Sequence, residues 1–145
     1  MKINTILSTK GPDVVVIRPE QSLEEAMALL EQRNIGALVV LEADGQLAGI
    51  ISERDVIRAA ARHGAEIFAW QVSQVMTHKV ITGMPQDDVI AVAHTMTERR
   101  IRHLPILVED RLVGIVSIGD ILKAQRDQYL GEIDTLHSQM LADSE

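Results

Sequence analysis

The stretch Gly49-Ile-Ile-Ser52-Glu-Arg-Asp55 returns sixty-five residues later as Gly114-Ile-Val-Ser117-Ile-Gly-Asp120, so a short apolar strand twice meets a helix through a Ser-x-x-Asp junction. Around it, Pro19, Arg33, Ile35, Leu38 and Asp44 recur as Pro85, Arg99, Ile101, Leu104 and Asp110. After the loss of one residue in the second copy, Leu47, Gly49, Ile50, Ser52, Asp55 and Ala59 recur as Leu112, Gly114, Ile115, Ser117, Asp120 and Ala124. A repeat of this size is a supersecondary unit that must bury its apolar face against its twin. A half of roughly 60 residues closes too little surface to be stable alone, so the 145 residues read as one folding unit with its working surfaces between the copies.

The chain is 46% apolar and 24% charged with one Trp, one Tyr and one Phe, which leaves the core to Ile, Leu, Val, Ala and Met. It has no cysteine, which removes disulfides, thiolate catalysis and Cys-type zinc sites and fits a reducing compartment, with the cytoplasm as the expected location. The opening apolar run is too short for a signal peptide, and no later run approaches the roughly 20 residues needed to cross a bilayer. A net charge of -7 disfavours nucleic acid as the main partner. Arg99-Arg100-x-Arg102-His103 is a local exception that suits either a phosphorylated small molecule or a solvated helix end.

Each copy reads β-α-β-β-α. In the first, Val14 to Arg18 predicts a strand, and Leu23, Ala26, Met27 and Leu30 mark one face of a helix started by a Ser22/Glu25 capping box. Strands over 37–41 and 47–51 flank Asp44-Gly45, a strong hairpin signal, and a second helix runs from about Glu53 to Arg62. The second copy predicts a strand over 80–82, a helix from Val89, strands over 104–108 and 112–116, and a helix from Ile118. Before each copy stands a similar apolar lead-in, Ile3-Asn-Thr-Ile6-Leu7 and Val72-Ser-Gln-Val75-Met76. The divisions are then a first repeat over 1–62, a linker over 63–71, a second repeat over 72–125 and a helical tail over 126–145. In the tail, Leu122, Tyr129, Ile133, Leu136 and Met140 form a stripe that packs either on its own domain or on a second subunit, with fraying expected around Gly131 and the polar end.

Taken singly, Ser-x-x-Asp is a capping box and needs no further role. The same box twice, each time after an apolar strand that turns inward, asks for more. A helix N-terminus favours an anion whereas the adjacent carboxylate repels one, so an Asp there suits a neutral diol whose two hydroxyls it accepts. Capping and ligand binding are compatible.

These units, the two Gly-h-h-Ser-x-x-Asp junctions (h being apolar) and the Ile101-Arg-His-Leu-Pro105 run resemble the CBS domain, named after cystathionine β-synthase, here as a tandem pair over about residues 1 to 125. The resemblance implies an α+β fold in which two mixed three-stranded sheets pack about a pseudo-twofold axis, followed by a C-terminal helical extension. It further implies a regulatory, energy-sensing module that binds AMP, ADP, ATP, NAD or S-adenosylmethionine in clefts between the repeats, forms a homodimer and signals to a separate partner protein. In such proteins the Asp holds the ribose hydroxyls, a role carried to Asp55 and Asp120, and the Ser contacts ribose or phosphate, a role carried to Ser52 and Ser117. The strand entries Gly36-Ala37 and Arg102-His103, and the first strands near Val16 and Thr82, line the adenine and phosphate pocket. The copies differ: Arg54 stands where the second has Gly119, and Arg102-His103 where the first has Gly36-Ala37, so phosphate affinity is uneven. Pseudo-symmetry would set Arg54 and Arg102 near one phosphate.

No nucleophile elbow, dinucleotide fingerprint or P-loop occurs, so the expectation is a non-enzyme with no catalytic cofactor. The histidines are scattered, and His94 with Glu98 reads as a surface pair rather than a metal site. Trp70 marks either a subunit contact or a plugged domain edge. The rival readings are an interaction module with vestigial clefts and, against the acidity, a nucleic-acid binder using Arg99, Arg100 and Arg102.

Overall fold

The structure, a computed structural model, describes residues 1–11 and 13–144. Helix α1 (Ile3–Lys10) precedes β1 (Val16–Ile17), α2 (Leu23–Arg33), β2 (Ala37–Leu41), β3 (Leu47–Ser52) and α3 (Glu53–His63). Two 3-10 segments, Gly64–Ala69 and Val72–Gln74, lead to α4 (Val89–Arg99), β4 (His103–Val108), β5 (Arg111–Ser117) and α5 (Ile118–Asp143). In the first half β1 runs parallel to β2 and β2 antiparallel to β3. The Asp44-Gly45 turn forms as expected, with Gly45 at φ 85° and Asp44 Oδ1 accepting from Gln46 N–H at 3.0 Å. The second hairpin turns on Glu109 and Asp110, both left-handed without a glycine.

The second half departs from the three-stranded expectation. Its sheet has only β4 and β5, and the strand predicted over 80–82 shrinks to a single bridge between Gly83 and Ile106. In the first half Val39 N–H donates to Val15 O at 3.3 Å. The residue matching Val39 is Pro105, which has no N–H to give, so the ladder starts only at Gly83, whose N–H donates to Pro105 O at 2.9 Å.

Each half has its own aliphatic core, and the lead-ins are exchanged between them. Ile3, Ile6 and Leu7 of α1 pack with Val89, Val92, Met96, Leu104, Ile106 and Ile121 of the second repeat. Val72, Val75 and Met76 pack with Ile17, Leu23, Leu38 and Ile51 of the first. The backbone repeats the exchange bond for bond. Ile3 N–H donates to Asp87 O (2.9 Å) as Val72 N–H donates to Gln21 O (2.8 Å), and Asn4 N–H to Pro85 O (2.8 Å) as Ser73 N–H to Pro19 O (3.0 Å). Val89 N–H donates to Met1 O at 3.0 Å as Leu23 N–H donates to Trp70 O at 2.8 Å. This is the pseudo-twofold relation in chemical form, and it makes each core depend on chain that precedes the other repeat.

Three local expectations are refined. Ser22 caps α2, but the return arm of its box is not made: Glu25 Oε2 accepts from Gln21 Nε2 at 2.6 Å instead. Helix α5 continues through Gly131 to Asp143 without fraying, and its stripe faces solvent rather than its own domain, Leu122, Tyr129, Leu136 and Met140 being 59–70% exposed. Residues 63–71 are no plain linker, since Ile67 is fully buried in the first core and Trp70 packs on that core and against the His63 ring, as a plugged edge does.

Candidate functional site

Both junctions are built by the same local logic. Strand register sets Ala37 opposite Ser52 and His103 opposite Ser117, so each strand entry lies beside the start of a helix. Glu53 N–H donates to Gly36 O at 3.0 Å and Ile118 N–H to Arg102 O at 2.9 Å, stitching the two together identically. Each Ser and Asp then closes a reciprocal capping box: Asp55 N–H on Ser52 Oγ (3.2 Å) with Ser52 N–H on Asp55 Oδ2 (2.9 Å), and Asp120 N–H on Ser117 Oγ (3.0 Å) with Ser117 N–H on Asp120 Oδ2 (2.9 Å). The boxes use one carboxylate oxygen apiece. The other is lightly held in Asp55, by Thr77 Oγ1 at 3.4 Å, and accepts no hydrogen bond from the described residues in Asp120.

The two carboxylates differ in their counter-charges. Lys10, at the end of α1, donates to Asp120 Oδ2 at 2.7 Å and to Ile115 O at 2.9 Å. Burial pushes the Asp120 carboxyl up, but the hydrogen bonds from Lys10 and Ser117 outweigh it and hold the group below its usual range. A cavity of about 240 Å³ opens between α1 and α5 beside this pair, lined by Thr5, Thr9, Lys10, Asp120, Lys123 and Asp127 among others.

The strand entries of the two repeats meet. A Cβ on Gly36 would stand 3.3 Å from Nε2 of His103 and 3.1 Å from Oε1 of Glu53, so the missing side chain of the first entry makes room for the ring of the second. Burial lowers the His103 pKa from 6.5; Lys10 and Arg102 lower it further, while Glu53 and Asp120 oppose them. A histidine kept neutral in this way stabilises the fold fully above its ordinary pKa and loses that contribution as the pH falls toward the depressed folded value. Urea midpoints measured between about pH 7.5 and 5.5 are therefore expected to drop more steeply for the wild type than for His103→Gln; parallel curves would refute the linkage.

Of the residues read from the sequence, Ser52, Asp55, Ser117, Asp120, Gly36, Ala37, Arg102 and His103 gather at the two junctions, with Gly36 and His103 in mutual contact. Val16 is in β1, 43% exposed, and Thr82 lies outside any strand and is exposed. Arg54 and Arg102 are exposed and enter no ion pair among the described residues; the junction residue set against His103 is Glu53, not Arg54. Arg99 and Arg100 end α4, Arg100 in the left-handed conformation, which is the solvated helix end. His94 pairs with Glu98 at 3.1 Å on the surface, and no group of three or more potential metal ligands occurs among the described residues. Lys10, Glu53 and Thr77 were not singled out by sequence. The signal for Lys10 was present: the lead-in echo extends to Lys79, placing a lysine at the same point of both copies.

Comparison with known proteins agrees with this fold. The CBS domain family model matches residues 6–62 and 72–127. The CBS domain-containing protein CBSX3, mitochondrial, of Arabidopsis thaliana is 35% identical over 144 residues, covering 94% of this chain and 70% of that protein. The crystal structure of the CBS-domain containing protein ATU1752 from Agrobacterium tumefaciens superposes with a TM-score of 0.84 at 39% identity, covering 86% of this chain and 99% of that one. The CBS domain pair of protein MJ0100, solved in complex with 5′-methylthioadenosine and S-adenosyl-L-methionine, superposes with a TM-score of 0.79 at 27% identity, covering 88% and 98%. Among the described residues no helix is long and apolar enough to cross a membrane.

Proposed function

As this chain belongs to the CBS-domain family, with both repeats present as a tandem pair, we propose that it is a non-catalytic sensor that binds an adenosine-containing ligand in the clefts at Asp55 and Asp120. CBS-domain pairs are regulatory modules, and one structural neighbour is described with two adenosine compounds bound. The observation that carries the reading is the twinned carboxylate. In each repeat the capping box uses Oδ2 and leaves Oδ1 as an acceptor at the strand end, which suits a ribose diol. Lys10 and Lys123 line the cavity beside Asp120, with Arg102-His103 entering the neighbouring strand opposite Ser117, and they favour a phosphorylated ligand there, of the class AMP, ADP, ATP or NAD. Because a ligand shifts a conformational balance only by its differential affinity for the states, it must touch parts that move relative to one another. The Gly36–His103 contact joins the two repeats, so a ligand that reaches it would touch both.

Calorimetry with AMP tests the reading. Asp120→Ala is expected to weaken binding about ten- to a hundredfold, the loss of charge-assisted hydrogen bonds to a ribose. If Asp120 served only its helix, affinity would stand and about 1 kcal/mol of stability would go. A second reading, an interaction module with vestigial clefts, draws on the exposed stripe of α5, which we assign to a homodimer contact. The regulated protein would be a separate chain, and the lack of cysteine supports a reducing compartment such as the cytoplasm.

A further inference from the structure

The two junctions are copies in sequence and backbone, yet among the described residues only one holds a cation. Lys10 Nζ sits 2.7 Å from Asp120 Oδ2 and 2.9 Å from Ile115 O, spanning from α1 to the second repeat. Its counterpart Lys79 follows a short 3-10 segment rather than a full helix, is exposed and joins no ion pair among the described residues; Asp55 meets the hydroxyl of Thr77 instead. The Lys10–Asp120 pair is partly shielded, with side chains 33% and 25% exposed, and Ser117 at the same junction lies opposite His103, the first residue of β4.

A ligand approaching Asp120 therefore meets a carboxylate whose Oδ2 is held by an ammonium and whose Oδ1 is open. An uncharged nucleoside that sets one hydroxyl on the open Oδ1 and the other on Oδ2 competes with Lys10 for Oδ2 and offers the ammonium no anionic partner in return, leaving it Ile115 O. A nucleotide supplies phosphate oxygens to which Lys10 can turn, so the cation exchanges one anionic partner for another while Asp120 is released to the ribose. At Asp55 no cation is paired with the carboxylate among the described residues, so an added phosphate finds no such partner waiting beside it.

Resting on the adenosine-sensor reading, we infer that Lys10 makes the Asp120 cleft selective for phosphorylated adenosine ligands, a selectivity that the Asp55 cleft lacks. Calorimetry of the full chain with AMP and with adenosine tests this, each titration repeated on Lys10→Met, Lys10→Arg and Lys79→Met. In an Asp55→Ala background, which isolates the second cleft, Lys10→Met is expected to weaken AMP about tenfold or more and to strengthen adenosine. Lys10→Arg keeps the charge and should retain the preference for AMP, and Lys79→Met should alter neither ligand. Equal effects of Lys10→Met on AMP and adenosine, no effect on either, or the same effect from Lys79→Met would overturn the inference and leave the sensor standing. If the wild type binds neither compound, the sensor reading falls, and this one with it.

Discussion

Replacing Ile3 and Ile6 together by alanine is expected to destabilise the whole chain by about 4 kcal/mol or more, a large part of the 5–15 kcal/mol that holds an ordinary domain together. Both side chains lie near the N-terminus, where truncation is usually harmless. Here they are 0% and 5% exposed and sit inside the core of the second repeat. Each isoleucine cut to alanine removes apolar contact and leaves a cavity, at about 2–5 kcal/mol per site. Urea unfolding should be followed by far-UV circular dichroism, which sees both repeats, and by fluorescence of Trp70, which packs only on the first core. Because each repeat is completed by the lead-in of the other, the two probes should shift together to lower urea. An unchanged midpoint would mean that α1 is not part of the core, and a shift in circular dichroism alone would mean that the exchanged lead-ins do not couple the halves.

This dependence was the least legible feature of the sequence. The helices, hairpins and junctions were readable because each is written locally: Leu23, Ala26, Met27 and Leu30 share one helix face, Asp44-Gly45 turns a hairpin, and Ser52 with Asp55 caps a helix. The lead-ins carry no such instruction. Ile3 to Leu7 and Val72 to Met76 have nearly the same apolar pattern, and either would fill either core, so the sequence shows that they are buried without showing where. The truncated second sheet was legible in principle. Pro105 stands where the ladder needs a donor, and its missing N–H is a local fact. Lys10 shows the opposite limit: its partner Asp120 lies 110 residues away, and only the exchange of lead-ins brings them together. The Ser and Asp of the junctions were read as cap and ligand group at once. The cap follows from spacing alone, whereas the second role rests on which oxygen the cap leaves over.

The exchange also explains the glycine that opens each junction, and through it a second large effect. A Cβ on Gly49 would lie 2.6 Å from the backbone oxygen of Thr77 and 2.8 Å from Met76 Sδ, and backbone cannot swing aside. A Cβ on Gly114 would lie 2.6 Å from Leu7 Cδ2, the far end of a side chain that can rotate. Neither glycine has a positive φ, so the difference is steric rather than conformational. Gly49→Ala is therefore expected to cost about 3 kcal/mol, at the upper end of overpacking, and Gly114→Ala about 1 kcal/mol. Thermal or urea denaturation of the two variants decides it, and equal losses would refute the backbone contact. Gly49→Ala should also reach the first cleft. Thr77 is bound to Ile50 through both its N–H (2.8 Å) and its C=O (3.1 Å), and its hydroxyl rests on Asp55, so pushing that segment outward removes a wall of the Asp55 site while Asp120 and Lys10 stay in place. Titrations with adenosine and with AMP in which Gly49→Ala and Asp120→Ala affect different binding events would thus separate the two clefts in solution.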